Sequence, residues 1–132
     1  MMKKKLILGT VFLLSGCPGH QDPIVIEHPA QVAMKDNNVC ISISEKDWEY
    51  ITSVQLYSES GQRFFKTFSD PVTRPHVATG ACLPIFGFNF MPQNTYSTYY
   101  SLGKKDAGKE RTFAIRFTIL RTSTGGLEIT PK

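Results

Sequence analysis

Side chains that attack, ligate or carry protons are sparse in this 132-residue chain, and few are spaced for the work. Three histidines are present. His20 lies in a polar N-terminal stretch, His28 precedes Pro29, and His76 follows Pro75. No two of them stand at the spacing of a metal-binding pair, and each reads as a solvated loop residue. Ser69, Asp70 and His76 are the residue types of a hydrolytic triad. Such a triad is assembled in space rather than along the chain, so their closeness in sequence carries little. No nucleophile elbow, phosphate-cradling glycine loop or paired carboxylates accompanies them. The expectation is a protein with no catalytic residues, no metal and no cofactor.

The thiols are more informative. Cys17 ends Leu14-Ser15-Gly16-Cys17, which follows Met1-Met2-Lys3-Lys4-Lys5 and the short apolar run Leu6–Leu14. A basic start, a short apolar core and small residues before the cut are the layout of a secretory signal peptide. The run is far shorter than the ~20 residues of a spanning helix. Its end looks like a bacterial lipobox. In proteins of that type the cysteine thiol takes a diacylglycerol, the chain is cut before it, and the new amine is acylated. Several acyl chains give a stable membrane anchor, since each buried methylene contributes ~0.8 kcal/mol. An Asp after such a cysteine usually retains the protein in the inner membrane. Pro18 stands there, so an outer-membrane anchor facing the periplasm is expected.

With Cys17 assigned to lipid, Cys40 and Cys82 remain in an oxidising compartment, where pairs bridge. A Cys40–Cys82 disulfide is predicted, with two free buried thiols as the alternative. Such a bridge restricts the unfolded chain by about 3–4 kcal/mol in the entropy picture. Removal of residues 1–16 leaves 116 residues, one domain's worth. Lys3, Lys4 and Lys5 leave with it, so the net charge falls from +4 to about +1. A nucleic-acid partner needs a basic stripe, and none remains. The expected organisation is a signal peptide over 1–16, a lipidated tether over 17–23 and one domain over 24–132.

The elements that must position any site are strands. Ile24–Glu27 reads as an edge strand ended by His28-Pro29, and Gln31–Lys35 as a second. Asp36-Asn37-Asn38 is a turn before Val39–Ser44, where Val39, Ile41 and Ile43 share a face and Cys40 takes the other. The disulfide is then expected on the outer surface of the sheet or across a loop. Tyr50–Ser58 places Val54 and Leu56 on one face, Gln55 and Tyr57 on the other. Arg63–Phe68 returns after a Gly61 turn. The proline-bearing stretch 69–80 reads as a loop or at most a short edge strand. In Ala81–Phe90 the strict alternation of Phe86, Phe88 and Phe90 predicts an aromatic strand face. Thr95–Leu102 puts Tyr96, Thr98, Tyr100 and Leu102 together and Tyr99 opposite. Thr112–Leu120 alternates most clearly, with Phe113, Ile115, Phe117 and Ile119 inward, and Leu127–Thr130 ends the chain. No sustained helical period is present. The expected fold class is all-β: a single immunoglobulin-like antiparallel β-sandwich of about seven strands after a cleaved lipoprotein signal peptide.

Two surfaces stand out. The Phe86/Phe88/Phe90 and Tyr96/Tyr99/Tyr100 group has the composition of a stacking platform, against the plainer reading of core and cross-strand pairs. Trp48, flanked by Asp47 and Glu49, has the composition of a protein-binding hot spot, against the plainer reading of a Trp packed over one end of the sandwich.

Several segments together carry a resemblance. They are Leu-Ser-Gly-Cys17-Pro18-Gly19-His20 with Asp22-Pro23-Ile24, Asn38-Val39-Cys40-Ile41, Cys82-Leu83-Pro84 with Phe86-Gly87-Phe88, and Tyr96 with Tyr99-Tyr100. The chain resembles a family of small enterobacterial lipoproteins described as periplasmic immunity proteins of type VI secretion. The resemblance implies a tethered, non-enzymatic domain that binds a secreted antibacterial effector as its protein partner. No effector-contacting residue carries over from it. The competing expectations are a structural or assembly accessory of the envelope or a secretion apparatus, and a glycan-binding module.

Overall fold

The computed structural model of the chain describes residues 26–44, 48, 50–104 and 110–132. The expected signal peptide, tether and Cys17 lie outside the described residues, as do Asp47 and Glu49.

The described residues form eight strands: β1 (Glu27–Pro29), β2 (Gln31–Lys35), β3 (Asn38–Ser42), β4 (Tyr50–Ser58), β5 (Arg63–Thr67), β6 (Asn94–Gly103), β7 (Glu110–Arg121) and β8 (Leu127–Pro131). A 3-10 turn spans Pro71–Thr73. The large sheet runs β1-β7-β6-β4-β5, with β8 also paired to β7, and β2 and β3 form a second sheet. The expected all-β sandwich is borne out, with unequal layers.

The long strands form where polar and apolar residues alternate. Along β4, β6 and β7, Val54, Leu56, Tyr96, Tyr100, Leu102, Phe113, Phe117 and Ile119 are buried on one face. Each large side chain so buried contributes roughly 1.5–3 kcal/mol by leaving water. Register follows the same pattern, with Leu56 opposite Thr98 and Thr98 opposite Ile115, while Tyr96 pairs with Phe117 and Tyr100 with Phe113. A one-residue slip would turn the whole set to solvent. β2 and β3 are joined through Asp36 and Asn37, whose φ angles of 50° and 64° make the two-residue hairpin turn that matches strand twist.

Two expectations are corrected. Of the expected Ile24–Glu27 strand, residues 24 and 25 lie outside the described residues and Ile26 is not in a strand; the described strand takes in His28 and Pro29. It is Glu27–Pro29, and it pairs parallel to β7 through Thr112–Ala114, so the sandwich is not wholly antiparallel. Pro29 is tolerated because β1 is an edge. β8 takes the rest of the same edge of β7, from Phe117 to Arg121. Secondly, no strand forms over 81–90. Phe86 and Gly87 both take positive φ, 53° and 75°, which turns the chain. The eight described strands agree with the expected count of about seven.

The irregular segment has a packing reason. Two strands at ~4.8 Å spacing cannot cover the inner face of a sheet several strands wide. The segment 68–93 completes that layer. Gly80 N–H donates to Ile43 O (3.0 Å) and Leu83 N–H to Ile41 O (2.6 Å), so the segment runs beside β3. Cys82 is bonded to Cys40 there, with the two Cα atoms 5.0 Å apart. Of the two predicted placements, the bridge takes the one across a loop. Beyond it the phenylalanines turn inward. Phe86 stacks on Phe64 at 5.5 Å, and Phe90 meets Tyr96 at 4.8 Å and Phe117 at 5.8 Å. Tyr100 donates its phenol proton to Pro84 O (2.9 Å), tying the sheet to this cover.

Candidate functional site

The sheet has a second face, and among the described residues nothing covers it. Side chains alternate along each strand, so the residues between the buried ones point outward. The register places them in rows. One row reads Phe65 (β5), Gln55 (β4), Tyr99 (β6), Ala114 (β7). The next towards the β1 end reads Thr67, Ser53, Ser101, Thr112 and then Glu27 of β1. On the other side lie Arg63, Tyr57, Ser97 and Arg116. Aromatic rings thus stand beside a floor of short hydroxyl side chains. A shallow depression of about 300 Å³ results, lined among others by Phe65, Tyr57, Tyr99, Gln55 and Glu27. Tyr99 and Glu27 also line a second, of about 310 Å³, toward Arg116.

The aromatics here are held, not loose. The Tyr57 and Tyr99 rings stack at 6.0 Å with 22° between their planes. Their hydroxyls share a long hydrogen bond of 3.4 Å. That bond, burial and the nearby Glu27 carboxylate keep the Tyr99 proton in place, pushing its pKa from 10.0 up to about 12, against the opposing pull of Arg116. Arg116 is itself paired with Glu59. Ser101 and Thr112 hydroxyls are 3.1 Å apart. Phe65 is different: it is 67% exposed. A ring-walled, hydroxyl-floored face of this kind, with Glu27, Arg63 and Arg116 at its margins, suits apolar and hydrogen-bonding contact with another molecule's surface.

The residues singled out from sequence fall elsewhere. Trp48 is buried, at 4% exposure, edge-on to Phe113. Lys104 Nζ and the Arg111 guanidinium sit 4.9 and 5.1 Å from its ring centre. An indole already so covered has little area left to bury against a partner. Its neighbours Asp47 and Glu49 are outside the described residues. The phenylalanine platform is core: Phe86, Phe88 and Phe90 pack against the buried cluster, as do Tyr96 and Tyr100, and only Tyr99 faces out. Asp70 caps the 3-10 turn by accepting from Val72 N–H (3.0 Å), and His76 forms a backbone bridge with Tyr50. Among the described residues no hydrogen bond joins Ser69, Asp70 and His76, and no cluster of three metal-ligating side chains occurs.

Alternation already placed Tyr57 and Tyr99 on outward faces. Their adjacency depends on the pairing of β4 with β6, which the sequence does not display. Phe65 had a usable signal. Phe64 and Phe65 are consecutive in one strand, so both cannot face the core.

Comparison with curated proteins and with solved structures gives no match. A family model described as "Domain of unknown function (DUF7480)" matches residues 27–122, from β1 through the end of β7. The chain belongs to that family of domains, DUF7480.

Proposed function

We propose that this protein is a lipid-anchored, non-enzymatic binding protein of the periplasm that neutralises a type VI secretion effector. Its contact surface is the outward face of the large sheet. The observation that carries the reading is that uncovered face, where exposed Phe65 stands beside the stacked Tyr57–Tyr99 pair. Tyrosine and other aromatics dominate the energetics of protein interfaces, and a sheet holds them at low entropic cost. The Cys40–Cys82 bridge suits an oxidising compartment, and the Leu14–Cys17 segment suits a membrane anchor there. The short segments shared with the immunity lipoproteins point the same way. Interception of a toxin needs a rigid complementary surface and no reaction.

The test is deletion of the gene followed by challenge with wild-type sister cells. The deletion strain should die in mixed culture and be rescued by the gene supplied in trans. Undiminished survival against every effector the strain encodes contradicts the proposal. Loss of envelope integrity or of secretion without any competitor favours an assembly accessory instead.

A further inference from the structure

The large sheet ends on β5, and the backbone there is open. In β4–β5 pairing, Ser58 N–H donates to Gln62 O (2.9 Å) and Phe68 N–H to Thr52 O (2.8 Å). Hydrogen-bonded pairs recur every second residue in an antiparallel ladder. Gln62, Phe64, Lys66 and Phe68 therefore point their backbone groups at β4. Arg63, Phe65 and Thr67 point theirs away, and none of these groups has a partner among the described residues.

The opposite edge of the same sheet is blunted. It is made of two short strands, and each carries a proline, Pro29 in β1 and Pro131 in β8. Short edge strands and prolines are the usual guards against strand addition. β5 is as short as β8, at five residues, but it has neither proline nor glycine, and it presents Phe65 at 67% exposure. Its length and its two cations, Arg63 and Lys66, are the remaining guards.

Those cations select a partner. If a second β5 approaches antiparallel with Phe65 opposite Phe65, Arg63 lies opposite Thr67 and Lys66 opposite Phe64. No like charges meet, all five residues of Arg63-Phe64-Phe65-Lys66-Thr67 are paired, and the outward N–H and C=O groups of each copy face those of the other. Lys66 already lies 5.4 Å from the Phe68 ring centre, and in the pair it gains the Phe64 ring of the second copy. Centring the two-fold on Lys66 sets lysine against lysine. Centring it on Arg63 sets arginine against arginine. Centring it on Phe64 leaves Thr67 beyond the strand. Only the register on Phe65 uses every group.

We propose that two copies of this chain pair antiparallel through β5, Phe65 against Phe65, joining their six-stranded sheets into one. The arrangement is two-fold and isologous. It sets the two Phe65 rings against each other on the outward face and brings the two outward tyrosine faces side by side on one surface. A five-residue seam is small, so the dimer is weak and concentration-dependent.

Two experiments on the full chain test this. The first is oxidative trapping: Phe65→Cys should give a covalent dimer on a non-reducing gel, whereas Val72→Cys, on a residue 90% exposed away from β5, should not. The second is sedimentation over a concentration series. Thr67→Glu sets a carboxylate opposite Arg63 of the second copy and should tighten the dimer about fivefold; Thr67→Arg should weaken it by a similar factor. Phe65→Lys should leave monomer only. Unfolding midpoints of these surface variants should match the parent, which separates lost pairing from lost folding. A chain that stays monomeric at all concentrations overturns the proposal. So does equal trapping at Val72, or no difference between Thr67→Glu and Thr67→Arg.

Discussion

The two faces of the large sheet carry similar residues to opposite ends. On the inner face Tyr96, Tyr100, Phe113 and Phe117 are at most 1% exposed beneath β2, β3 and the segment 68–93. On the outer face Tyr57 and Tyr99 are half-buried and Phe65 is exposed, with nothing described above them. The difference lies in the second layer, which has strands and loop enough for one face only. Aromatic area on the inner face is committed to folding. On the outer face it remains for another surface.

That contrast can be broken from either side, and the largest effect is expected inside. Phe117→Ala should cost about 3–5 kcal/mol in urea unfolding, because a fully buried ring leaves a cavity and loses its contact with Phe90. A loss below about 1 kcal/mol would mean that the inner face is not packed as described. Next comes the clip that holds the cover down. Reduction, or Cys40→Ser with Cys82→Ser, should cost about 2–4 kcal/mol, read from the same unfolding curves with and without reductant.

The alkaline limb comes third. Tyr99 has its pKa raised to about 12 in the folded chain, and burial pushes the Tyr100 phenol up further. Both are held as neutral phenols by the fold. Their contribution to stability is therefore fully present below the ordinary tyrosine value of 10.0; that of Tyr99 is lost as pH climbs through about 12, and that of Tyr100 at still higher pH. Unfolding midpoints should be insensitive to these groups at neutral pH and fall across that window, and Tyr99→Phe should shallow the fall. An unchanged slope in Tyr99→Phe would remove Tyr99 from the account. The smallest stability effect is predicted on the outer face. Tyr57→Ala with Tyr99→Ala should cost about 0.5–1.5 kcal/mol of stacking together with the partial burial of two half-exposed rings, less than Phe117→Ala.

What could be read from the residues divides along the same line. The long strands of the sheet announce themselves, because Val54/Leu56, Tyr96/Tyr100 and Phe113/Phe117 alternate with polar residues and the pattern is local. The cover does not. Phe86, Phe88 and Phe90 alternate as strictly as any strand, yet Gly87 and the left-handed φ of Phe86 make a turn there. What decides is the breadth of sheet left uncovered by β2 and β3, a property of the assembled fold. β1 fails for a related reason. Its parallel pairing with β7 joins residues more than eighty positions apart, and an apolar run nearby gives the stronger local signal. Trp48 misleads because Asp47 and Glu49 flank it, while the groups that settle its place, Phe113, Lys104 and Arg111, come from distant sequence. The candidate surface was half legible: outward Tyr57 and Tyr99 follow from alternation, and their stacking follows only from register.

We propose that the outer face binds and that the inner face serves folding. A deletion strain complemented with the chain carrying Tyr57→Ala and Tyr99→Ala, in competition with wild-type sister cells, tests it most directly. Survival should fall to the level of the uncomplemented strain while the variant accumulates like the parent protein and loses less stability than Phe117→Ala. Full protection by that variant, at matched abundance, would contradict the proposal.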